Sequence, residues 1–510
     1  MKKKKLNFKR SPNTLRLVRL GIDTYQEPVV YMKQDCHVCR SEGFSAQSRV
    51  LIETSKRSII ATLNVIHDGM LKAGEAGLSE AAWRLLKVRE NQLASFSHPK
   101  PLDSLSYVRR KAYGHSLSDQ AFQEVIHDIV KGRYADVHLA AFITACSGDS
   151  LNPREKVSLT QAMVNAGERL EWPDELVMDK HCVGGLPGNR TTPIIVPIIA
   201  AFGLKMPKTS SRAITSPAGT ADTMAVLTQV SLSLKKIHQV IAREGACMAY
   251  GGAMKLSPAD DTLIRVERVL DLDSQGQLVA SVLSKKIAAG ATHVIIDLPM
   301  GPTAKVRSLK AAQALSHDLK YVAKHLGLKI KVILTDGRQP VGYGIGPALE
   351  ARDVLAVLQG KPEAPQDLRE RSLDLAGELL ELSGKLKKGQ GRKTAAALLD
   401  NGEAWKKFQA ICRAQGGLFE PPIAKYQHSI AANCSGKVIE IDNRLLARVA
   451  KLAGAPADMA AGLQLHKKLG DFIQKDESLF TVHAESQGEL EYALDYVKSH
   501  DDIFQIRRRK

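Results

Sequence analysis

The segment Asp179–Thr192, DKHCVGGLPGNRTT, combines residue types that bind phosphate. Its glycines let the backbone approach an anion closely, and the helix expected to follow offers free amides and the positive end of its dipole. Lys180 adds a positive charge, and Thr191 and Thr192 can donate hydroxyl hydrogens. The Gly-Lys-Ser/Thr ending of a nucleoside-triphosphate loop is not there. The pattern predicts a phosphate-binding loop, and a glycine turn that only packs is the alternative.

A second segment, KTSSRAITSPAGTADT at Lys208–Thr223, places hydroxyl groups around Arg212. The hydroxyl residues are Ser210, Ser211, Thr215, Ser216 and Thr220. One guanidinium among hydroxyls suits an oxyanion or the edge of a nucleobase. A capped helix start is the alternative interpretation of this segment.

Both segments follow a predicted strand and precede a predicted helix. From about residue 173 to 420, continuous apolar strands such as ATHVIIDLPMG alternate with helical patterns such as SLKAAQALSHDLKYVAKHLG. This alternation predicts a mostly parallel sheet covered by helices on both faces. Ligands of such sheets lie beyond the carboxyl ends of the strands, which is where both segments are expected.

The predicted fold class is α/β, and three further domains are predicted beside the α/β region. A length of 510 residues exceeds one ordinary core, so several domains are expected. Alternating β-branched residues predict a small β-rich domain over 1–98, and three- and four-residue apolar spacing predicts a helical domain over 99–172, completed by about 258–288. The α/β phosphate-binding domain is predicted over 173–420 and an α+β domain over 421–510.

Composition limits the classes of function. The formal net charge is +18, and part of the excess lies in the terminal MKKKK and RRRK. We expect these tails to be solvated rather than to bind nucleic acid, because stacking aromatics make up only 5 % of the chain; a nucleic-acid-binding protein is the alternative of another class. No apolar run suits a membrane span or a signal peptide, so a cytoplasmic protein is expected.

The cysteines indicate reduced thiols rather than a disulfide framework, since seven are scattered over the whole chain. Cys36 and Cys39 have the spacing of a metal or redox pair. Because a zinc site needs about four ligands and no second such pair exists in the sequence, no metal site is expected.

Both loop segments, together with DDTLIRVERVLDLDSQGQLVASVLSKKIAAGATHVIIDLPMGPTAK, closely resemble the thymidine and pyrimidine-nucleoside phosphorylase family. The resemblance is to the longer branch (type 2), which has an extra N-terminal domain and includes the AMP phosphorylases. It covers nearly the whole chain. It implies a helical domain facing an α/β domain across a cleft, a homodimer or higher homo-oligomer, and no cofactor other than inorganic phosphate as co-substrate.

The resemblance also implies roles for individual residues. Phosphate contacts fall on Lys180, Ser210 and Thr220, with Thr192 or Thr191 adding a hydroxyl, and His181 lies beside sugar and base. The AMP phosphorylase match places the following residues around the nucleotide, with Asp273 as proton donor: Gly185, Ser211, Arg212, Ala213, Ile214, Thr215, Ser216, Thr220, Ser281 and Lys305. The thymidine phosphorylase match puts Ser281 and Lys285 against the base, accompanied by Arg265 or Arg268.

The chain departs from the thymidine phosphorylase pattern at two places. Cys182 stands where those enzymes have serine, and a thiol donates more weakly than a hydroxyl. SRAITSPAGT replaces GRGLGHTGGT, which favours the longer branch. We rank a pyrimidine nucleoside such as thymidine first, and an AMP or other 5′-monophosphate substrate, giving ribose 1,5-bisphosphate, as the alternative.

Phosphorolysis sets the enzyme two tasks. It must hold phosphate in line with the anomeric carbon while the C–N bond weakens, and it must stabilise or protonate the departing base. The glycine-rich loop and Lys180 suit the first task, and Asp273, His181 and Lys285 are the catalytic candidates for the second. The rival enzyme classes are a magnesium-dependent phosphoribosyltransferase and a dinucleotide-dependent oxidoreductase using GYGIGPALEARD.

Overall fold

A computed structural model describes residues 13–508, apart from 68, 174, 214, 215, 255, 271 and 273 and the side chains of 253 and 268. The described chain divides into two compact units. One comprises the residues up to Ser150 together with those of Thr262–Leu272, and the other comprises the residues of Leu151–Asp261 and those from Ser274 onward.

The first unit begins with a closed barrel in the strand order β1-β5-β2-β4-β3-β6. Its strands are β1 Thr14–Arg19, β2 Val29–Lys33, β3 Arg49–Glu53, β4 Ser58–Ile66, β5 Glu75–Leu78 and β6 Leu93–Ser97. Strand β1 is parallel to β5 and β2 is parallel to β4, while the other neighbours are antiparallel. Alternate residues such as Leu15 and Leu17 are buried in the barrel core because successive side chains of a strand point to opposite faces.

Helices complete the first unit. They are α1 His37–Glu42, α2 Glu80–Leu86, α3 Leu105–Ala112, α4 Asp119–Val130 and α5 Asp136–Ala145. Helix α4 begins where Ser118 accepts a hydrogen bond from the Ala121 amide, as is typical of a capping serine. The last part of α10, Pro258–Leu270, also belongs to this unit.

The second unit contains a parallel sheet with helices on both faces. Its first elements are α6 Pro153–Asn165, β7 Met178–Cys182, α7 Thr192–Ala201, β8 Met206–Ser210, α8 Thr220–Leu227, α9 Leu234–Glu244, β9 Ala246–Tyr250, a 3₁₀ turn Gly251–Met254 and the start of α10. There follow α11 Gln275–Ala288, β10 His293–Met300, α12 Leu309–His325, β11 Lys329–Asp336, β12 Gly344–Ile345, α13 Pro347–Leu358, α14 Gln366–Leu382, α15 Gly391–Asp400 and α16 Glu403–Gln415.

The parallel strands lie in the order β9-β8-β7-β10-β11. Ladders join β8 to β9 and β10 to both β7 and β11, and a bridge between Val177 and Lys205 links β7 to the start of β8. Along β10, Ile295 packs in one core with α7, α13 and α14, whereas Val294 and Ile296 pack in a second core with α11 and α12. Burial on both faces explains why this strand is continuously apolar.

The C-terminal part folds into two small sheets with helices. Its elements are β13 Tyr426–Ala431, β14 Gly436–Ile441, α17 Asn443–Leu452, β15 Gly462–Leu465, β16 Phe472–Ile473, β17 Ser478–Ala484, α18 Gln487–Lys498 and β18 Phe504–Arg507. The sheet orders are β12-β15-β17-β13 and β16-β14-β18, so strand β12 of the α/β region pairs with β15. None of the helices in the described residues is long and apolar enough to cross a membrane.

Candidate active site

The two predicted loops begin at the carboxyl ends of neighbouring parallel strands. The glycine-rich loop leaves β7 after Cys182 and enters α7 at Thr192, and the hydroxyl-rich loop leaves β8 after Ser210 and enters α8 at Thr220. Both therefore lie at the edge of the sheet where α/β proteins bind ligands.

Lys180 is buried at this edge, with only 1 % of its surface exposed. Its Nζ donates to Thr191 Oγ1 at 2.8 Å and lies 3.5 Å from Asp297 Oδ2. The lysine predicted to hold phosphate is thus positioned by a threonine of the glycine-rich loop and by a carboxylate of β10.

Asp297 remains ionised although it is fully buried. Burial opposes its charged form, but Lys180 and the hydroxyl of Thr335 outweigh burial and lower the pKa of the carboxyl. Thr335 donates at 2.7 Å, and Asn189 Nδ2 donates at 3.2 Å to the other oxygen. The carboxylate thereby links the glycine-rich loop to strands β10 and β11.

A second buried ionic cluster lies directly beside Lys180. Asp179 Oδ1 is 2.9 Å from Lys208 Nζ and its Oδ2 is 2.6 Å from Lys286 Nζ, and none of the three side chains is more than 5 % exposed. Lys208 also donates to the Lys180 carbonyl at 2.6 Å. The cluster joins β7, β8 and α11 under the two loops.

Lysine amines outnumber carboxylates among these buried groups, and the lowered pKa of Lys208 offsets part of the excess positive charge at pH 7. Burial acts against the charge on Asp179, but Lys208 and Lys286 lower the pKa of that carboxyl overall. Burial lowers the pKa of Lys208 to about 7, against the attraction of Asp179. Within the described residues, three lysine amines, those of Lys180, Lys208 and Lys286, face the two carboxylates of Asp179 and Asp297. An anion at this edge would complete the balance of charge.

His181 follows Lys180 on β7 and is neutral at pH 7. Burial lowers its pKa well below the ordinary value, and the neighbouring charges of Lys286, Lys208, Lys285 and Lys180 lower it further. Lys285, predicted to serve the same site as His181, is thus among the charges that act on its imidazole. A neutral imidazole can donate one hydrogen bond and accept another, but it is a poor source of a proton.

The thiol of Cys182 is protonated. Burial and the nearby Asp297 raise its pKa to about 11. Asn189 Nδ2 approaches Cys182 Sγ at 3.2 Å. Cys182 therefore offers phosphate only a weak S–H donor, as the sequence comparison with serine predicts.

Two glycines of the loop are required by close contacts with backbone. A Cβ on Gly188 would lie 2.1 Å from the Val341 carbonyl oxygen, and one on Gly185 would lie 2.9 Å from both the amide nitrogen and the Cβ of Lys305. Both have left-handed backbone, at φ +68° and +80°. Gly185 and Lys305, both predicted to line the nucleotide, are thus in contact.

Arg190 holds the two loops together. Its Nε contacts Glu350 Oε2 at 2.6 Å, one NH group donates to Thr220 Oγ1 at 3.1 Å, and the other donates to the carbonyls of Gly188 and Ala218 at 3.0 and 3.1 Å. Thr220, a predicted phosphate contact, therefore keeps its own hydroxyl hydrogen for another acceptor. Burial raises the pKa of Glu350, and Arg190 opposes this rise.

The hydroxyl-rich loop is organised by Asp222, which sequence reasoning missed. Its Oδ2 accepts from the amides of Ala213 at 2.6 Å and Gly219 at 2.9 Å, and its Oδ1 accepts from Arg212 at 3.1 Å. Arg212 also lies over the ring of Tyr250, 5.3 Å from its centroid, with its side chain 49 % exposed. Asp222 thus partly neutralises the guanidinium predicted to meet an anion.

The predicted hydroxyls of this loop differ in availability. Ser216 donates to the Ala218 carbonyl at 2.9 Å, so its hydrogen is used within the loop, and Ser211 is exposed. Ser210 Oγ is buried and has no hydrogen-bond partner among the described residues. Buried hydroxyl groups are normally hydrogen-bonded, and a phosphate bound at the end of β8 would provide the missing acceptor.

Helix α11 carries the residues predicted to face the base. Lys285 Nζ lies 2.5 Å from Asp260 Oδ2 and 3.4 Å from Ser281 Oγ, so Ser281 and Lys285 share one patch. The next residue, Lys286, anchors the helix to Asp179. Burial and the neighbouring Asp260 raise the pKa of Asp261.

The remaining predicted residues belong to the first unit or lie outside the described residues. Arg265 belongs to the first unit, where it makes a bidentate ion pair of 2.7 and 2.5 Å with Asp136. Asp273, Ile214 and Thr215 lie outside the described residues, as does the side chain of Arg268. Within the described part of the chain, no group of three or more His, Cys, Asp or Glu side chains is arranged to hold a metal ion.

Sequence reasoning missed several residues that build the site, namely Lys208, Lys286, Asn189, Arg190, Asp222, Asp297 and Glu350. Asp297 carried a usable signal, because a lone carboxylate within the apolar strand HVIIDLPM must be paired if it is buried. Lys208 and Lys286 carried none, since each is one lysine among 72 basic residues.

The comparisons with known proteins agree with this architecture. Residues 105–167 match the glycosyl transferase family helical bundle domain, residues 174–405 its a/b domain, and residues 437–503 the pyrimidine nucleoside phosphorylase C-terminal domain. Fold and site together define a glycosyltransferase with a multidomain α/β architecture, which confirms the predicted class of enzyme.

Relatives that match along the whole chain narrow the class to a family. A protein of Polaromonas sp. (strain JS666 / ATCC BAA-500) named "Putative thymidine phosphorylase" is 60 % identical over 496 residues, which cover 97 % of each chain. A protein of Acidovorax sp. (strain JS42) named "Putative thymidine phosphorylase 1" is 59 % identical over 98 % of each chain. The chain therefore belongs to the pyrimidine-nucleoside phosphorylase family, as its resemblance implies.

A solved structure shares the fold at lower similarity. Anthranilate phosphoribosyltransferase from Thermus thermophilus superposes with a TM-score of 0.50 at 19 % identity, covering 60 % of this chain and 98 % of that one. The likeness concerns the fold alone.

Proposed function

We propose that the protein cleaves a pyrimidine nucleoside with inorganic phosphate, converting thymidine and phosphate to thymine and 2-deoxyribose 1-phosphate. The observation that carries the proposal is the excess of buried lysine charge under two loops at the carboxyl edge of the sheet. Such an edge binds an anion strongly, and the family uses phosphate as the attacking group.

Phosphate is held, in this proposal, between the two loops. Lys180 supplies the charge, and Ser210, Thr220 and Thr192 supply hydroxyl donors. Ser210 is the most telling of these because its buried hydroxyl has no partner among the described residues. Thr191 serves indirectly, since its hydroxyl accepts from Lys180 and fixes the ammonium group.

The reaction forms a C–O bond between phosphate and the anomeric carbon and breaks the C–N bond to the base. The electron pair of the C–N bond passes to the base, which must be stabilised or protonated. Lys285 and Ser281 face the base, and His181 donates a hydrogen bond to sugar or base as a neutral imidazole. Asp273 remains a proposed proton donor, although it lies outside the described residues.

The alternative substrate is a nucleoside 5′-monophosphate such as AMP. Arg212 and the loop from Ser211 to Ser216 would then hold the 5′-phosphate. The pairing of Arg212 with Asp222 argues against a dianion there, because the carboxylate neutralises the guanidinium and would repel the phosphate. We therefore keep the nucleoside first.

The proposal also includes the cofactor requirement, cellular location and oligomeric state of the enzyme. The enzyme needs no cofactor, acts in the cytoplasm as a homodimer or higher homo-oligomer, and has the cleft that the family resemblance implies. A magnesium-dependent phosphoribosyltransferase is disfavoured because Asp179, the acidic residue that opens the loop, is buried between two lysines and cannot serve a cation.

A substrate panel tests the proposal. Thymidine, deoxyuridine, uridine, adenosine and AMP are each incubated with and without phosphate, and base release is followed by chromatography, with a chelator in parallel. We expect phosphate-dependent release from thymidine that the chelator does not affect. Release from AMP but not from thymidine would replace the first substrate by the second, and activity restored only by magnesium would favour the transferase.

The role of Arg212 separates the two substrates further. If its loop binds a 5′-phosphate, Arg212→Ala reduces turnover of AMP far more than turnover of adenosine, because only AMP loses an ionic contact. Under our proposal the compounds to compare are thymidine and thymidine 5′-monophosphate, and Arg212→Ala lowers the turnover of both by the same factor, through loss of its contact with Asp222. Lys310 is an exposed lysine on α12, and Lys310→Ala is the matched control for the change of net charge.

A further inference from the structure

The pair Cys36 and Cys39, in the sequence DCHVCR, takes no part in the proposed reaction. Cys36 caps the start of helix α1 and Cys39 lies in its first turn, next to strand β2 of the N-terminal barrel. Cys39 is 3 % exposed and packs in the barrel core, whereas Cys36 is half-buried at its margin. The side chain of Cys36 is therefore partly accessible to solvent, whereas that of Cys39 is buried.

The two thiols are already in contact. The Cys39 amide donates to Cys36 Sγ at 3.3 Å, and the neighbouring Cys39 thiol lowers the pKa of Cys36. Residues three apart in a helical turn have Cα atoms about 5–6 Å apart, inside the window of about 4.4–6.8 Å that a disulfide spans. The spacing of the two residues is therefore compatible with a disulfide within this turn.

Cys36 also has the reactivity of an attacking thiol. Hydrogen bonds from the Cys39 thiol and amide lower its pKa to about 6, so it is largely thiolate at pH 7. Burial raises the pKa of Cys247 and Cys412 to about 12, and these thiols stay protonated. A partly exposed thiolate beside a buried second thiol is the arrangement that thiol–disulfide exchange needs.

A metal site does not explain the pair. Among the described residues, no third His, Cys, Asp or Glu side chain joins the two cysteines in a group suited to a metal ion. Two ligands are too few for structural zinc.

We propose that Cys36 and Cys39 form a redox-active dithiol that exchanges with low-molecular-weight disulfides such as oxidised glutathione. The Cys36 thiolate attacks one sulfur of the glutathione disulfide, forming a mixed disulfide and releasing one glutathione thiolate. Cys39 then attacks Cys36 Sγ, forming the Cys36–Cys39 bond and releasing the second thiolate. The two protein sulfurs are oxidised to a disulfide and the glutathione disulfide is reduced to two thiols, one of which takes the proton of Cys39 and the other a proton from solvent.

The test uses the full chain, prepared reduced and metal-free, and then treated with oxidised glutathione. Intact mass and peptide mapping follow wild type, Cys36→Ser, Cys39→Ser and the control Cys434→Ser, which removes another half-buried thiol. We expect wild type to lose two hydrogens by joining Cys36 to Cys39, and Cys39→Ser to keep one glutathione on Cys36. We expect Cys36→Ser to do neither and Cys434→Ser to behave as wild type.

A second measurement does not depend on the disulfide. The alkylation rate of Cys36 should level off above about pH 7, because its thiol is already largely deprotonated there. Absence of an adduct on Cys39→Ser, an unresolved mixed disulfide in wild type, or zinc retained by the untreated protein in proportion to the dithiol would overturn the proposal.

Discussion

Lys180 combines burial with a charge that is only partly balanced. Asp297 lies 3.5 Å from its ammonium group, farther than the 2.6–2.9 Å contacts that Lys208 and Lys286 make with Asp179. Lys180 is therefore the lysine of the cluster with the most attraction left for a substrate anion.

Replacing Lys180 by Ala should weaken the use of phosphate. Loss of one charge-assisted contact costs about 1.5–3 kcal/mol, so the KM for phosphate should rise by about one to two orders of magnitude. Steady-state kinetics at saturating thymidine measure this, with circular dichroism to verify folding. Lys310→Ala should leave the KM unchanged, and an unchanged KM in Lys180→Ala would show that this lysine is only structural.

Lys208 makes stability depend on pH. Its pKa is about 7 in the folded protein and 10.5 in the unfolded chain, so the unfolded chain binds more protons between these values. The cost of burying the charge is full below pH 7 and disappears as the pH rises toward 10.5.

The variant Lys208→Met should remove this dependence. Between about pH 7 and 9.5 the unfolding free energy of wild type should rise relative to that of the variant, by at most about 1.4 kcal/mol per pH unit for one proton. Urea unfolding at a series of pH values measures the unfolding free energy of both proteins. Subtracting one curve from the other removes the contribution of titrating groups that the two proteins share. Parallel curves for the two proteins would contradict the lowered pKa.

At the scale of elements, the site depends on two loops that are tied to helix α13 by one ion pair. Arg190 contacts both loops and Glu350, and Glu350 also accepts from Thr223 at 2.9 Å. Because Arg190 and Glu350 are both largely buried, removing one leaves the other without its partner.

A double-mutant cycle tests this tie. Arg190→Met should lower the unfolding free energy by about 3–5 kcal/mol, since it leaves the Glu350 carboxylate buried and unpaired. Adding Glu350→Leu should recover part of the stability, while the KM for phosphate stays raised because Thr220 has lost its donor. Additive losses in the double variant would show that the two side chains do not interact.

The variant Gly188→Ala tests whether close packing against Val341 fixes the geometry of the glycine-rich loop. In Gly188→Ala the new Cβ would meet the Val341 carbonyl oxygen at 2.1 Å, and backbone cannot give way as a flexible side chain can. Gly327→Ala is the matched control, because Gly327 has a similar φ of +73° but open space around its Cβ.

We expect Gly327→Ala to cost only the left-handed strain, about 1–2 kcal/mol, with unchanged kinetics. Gly188→Ala should cost more and should raise the KM for phosphate, since Asn189 and Arg190 follow directly in the chain. Chemical denaturation and phosphate kinetics on both variants measure these effects. Equal losses of stability with unchanged kinetics would mean that the contact with Val341 does not fix the loop.

Local sequence patterns predicted the order of strand, loop and helix around the two loops. The sequence places a glycine-rich loop after an apolar strand and before a helix, and the structure has this order at β7 and α7 as well as at β8 and α8. Glycines, hydroxyls and Lys180 could be assigned a ligand class because each acts through chemistry readable at its own position.

Partnerships between distant segments could not be predicted. Asp179 meets Lys208 and Lys286, which are 29 and 107 residues away in the chain, and Arg190 meets Glu350 across 160 residues. Sequence spacing gives no measure of such distances. Asp222 was missed for a different reason, since an acidic residue in the first turn of a helix is ordinary and its contact with Arg212 depends on the path of the loop.

At the scale of the whole molecule, charge is distributed unevenly between surface and interior. The net charge is +18, but the ions that shape the site are a few buried pairs. The terminal lysines lie outside the described residues, and the expectation that they are solvated stays a prediction. Affinity for phosphate should accordingly follow the buried cluster rather than the tails.

The multidomain α/β architecture predicted from sequence is confirmed by the matched helical, a/b and C-terminal domains. Closure of the N-terminal strands into a barrel was not predictable, because the parallel pairs β1–β5 and β2–β4 join strands that are not consecutive in the chain. That barrel carries the dithiol, so its chemistry belongs to a part of the chain that shares no residue with the phosphate loops.

One measurement tests the central claim most directly. Thymidine is incubated with the enzyme and phosphate labelled with ¹⁸O on all four oxygens, and the sugar product is analysed by mass spectrometry. If phosphate is the attacking group, the product is 2-deoxyribose 1-phosphate that retains all four labelled oxygens, one of them in the new C–O bond, and thymine is released in equal amount. Free 2-deoxyribose as the product, with thymine released equally fast in the absence of phosphate, would contradict the account.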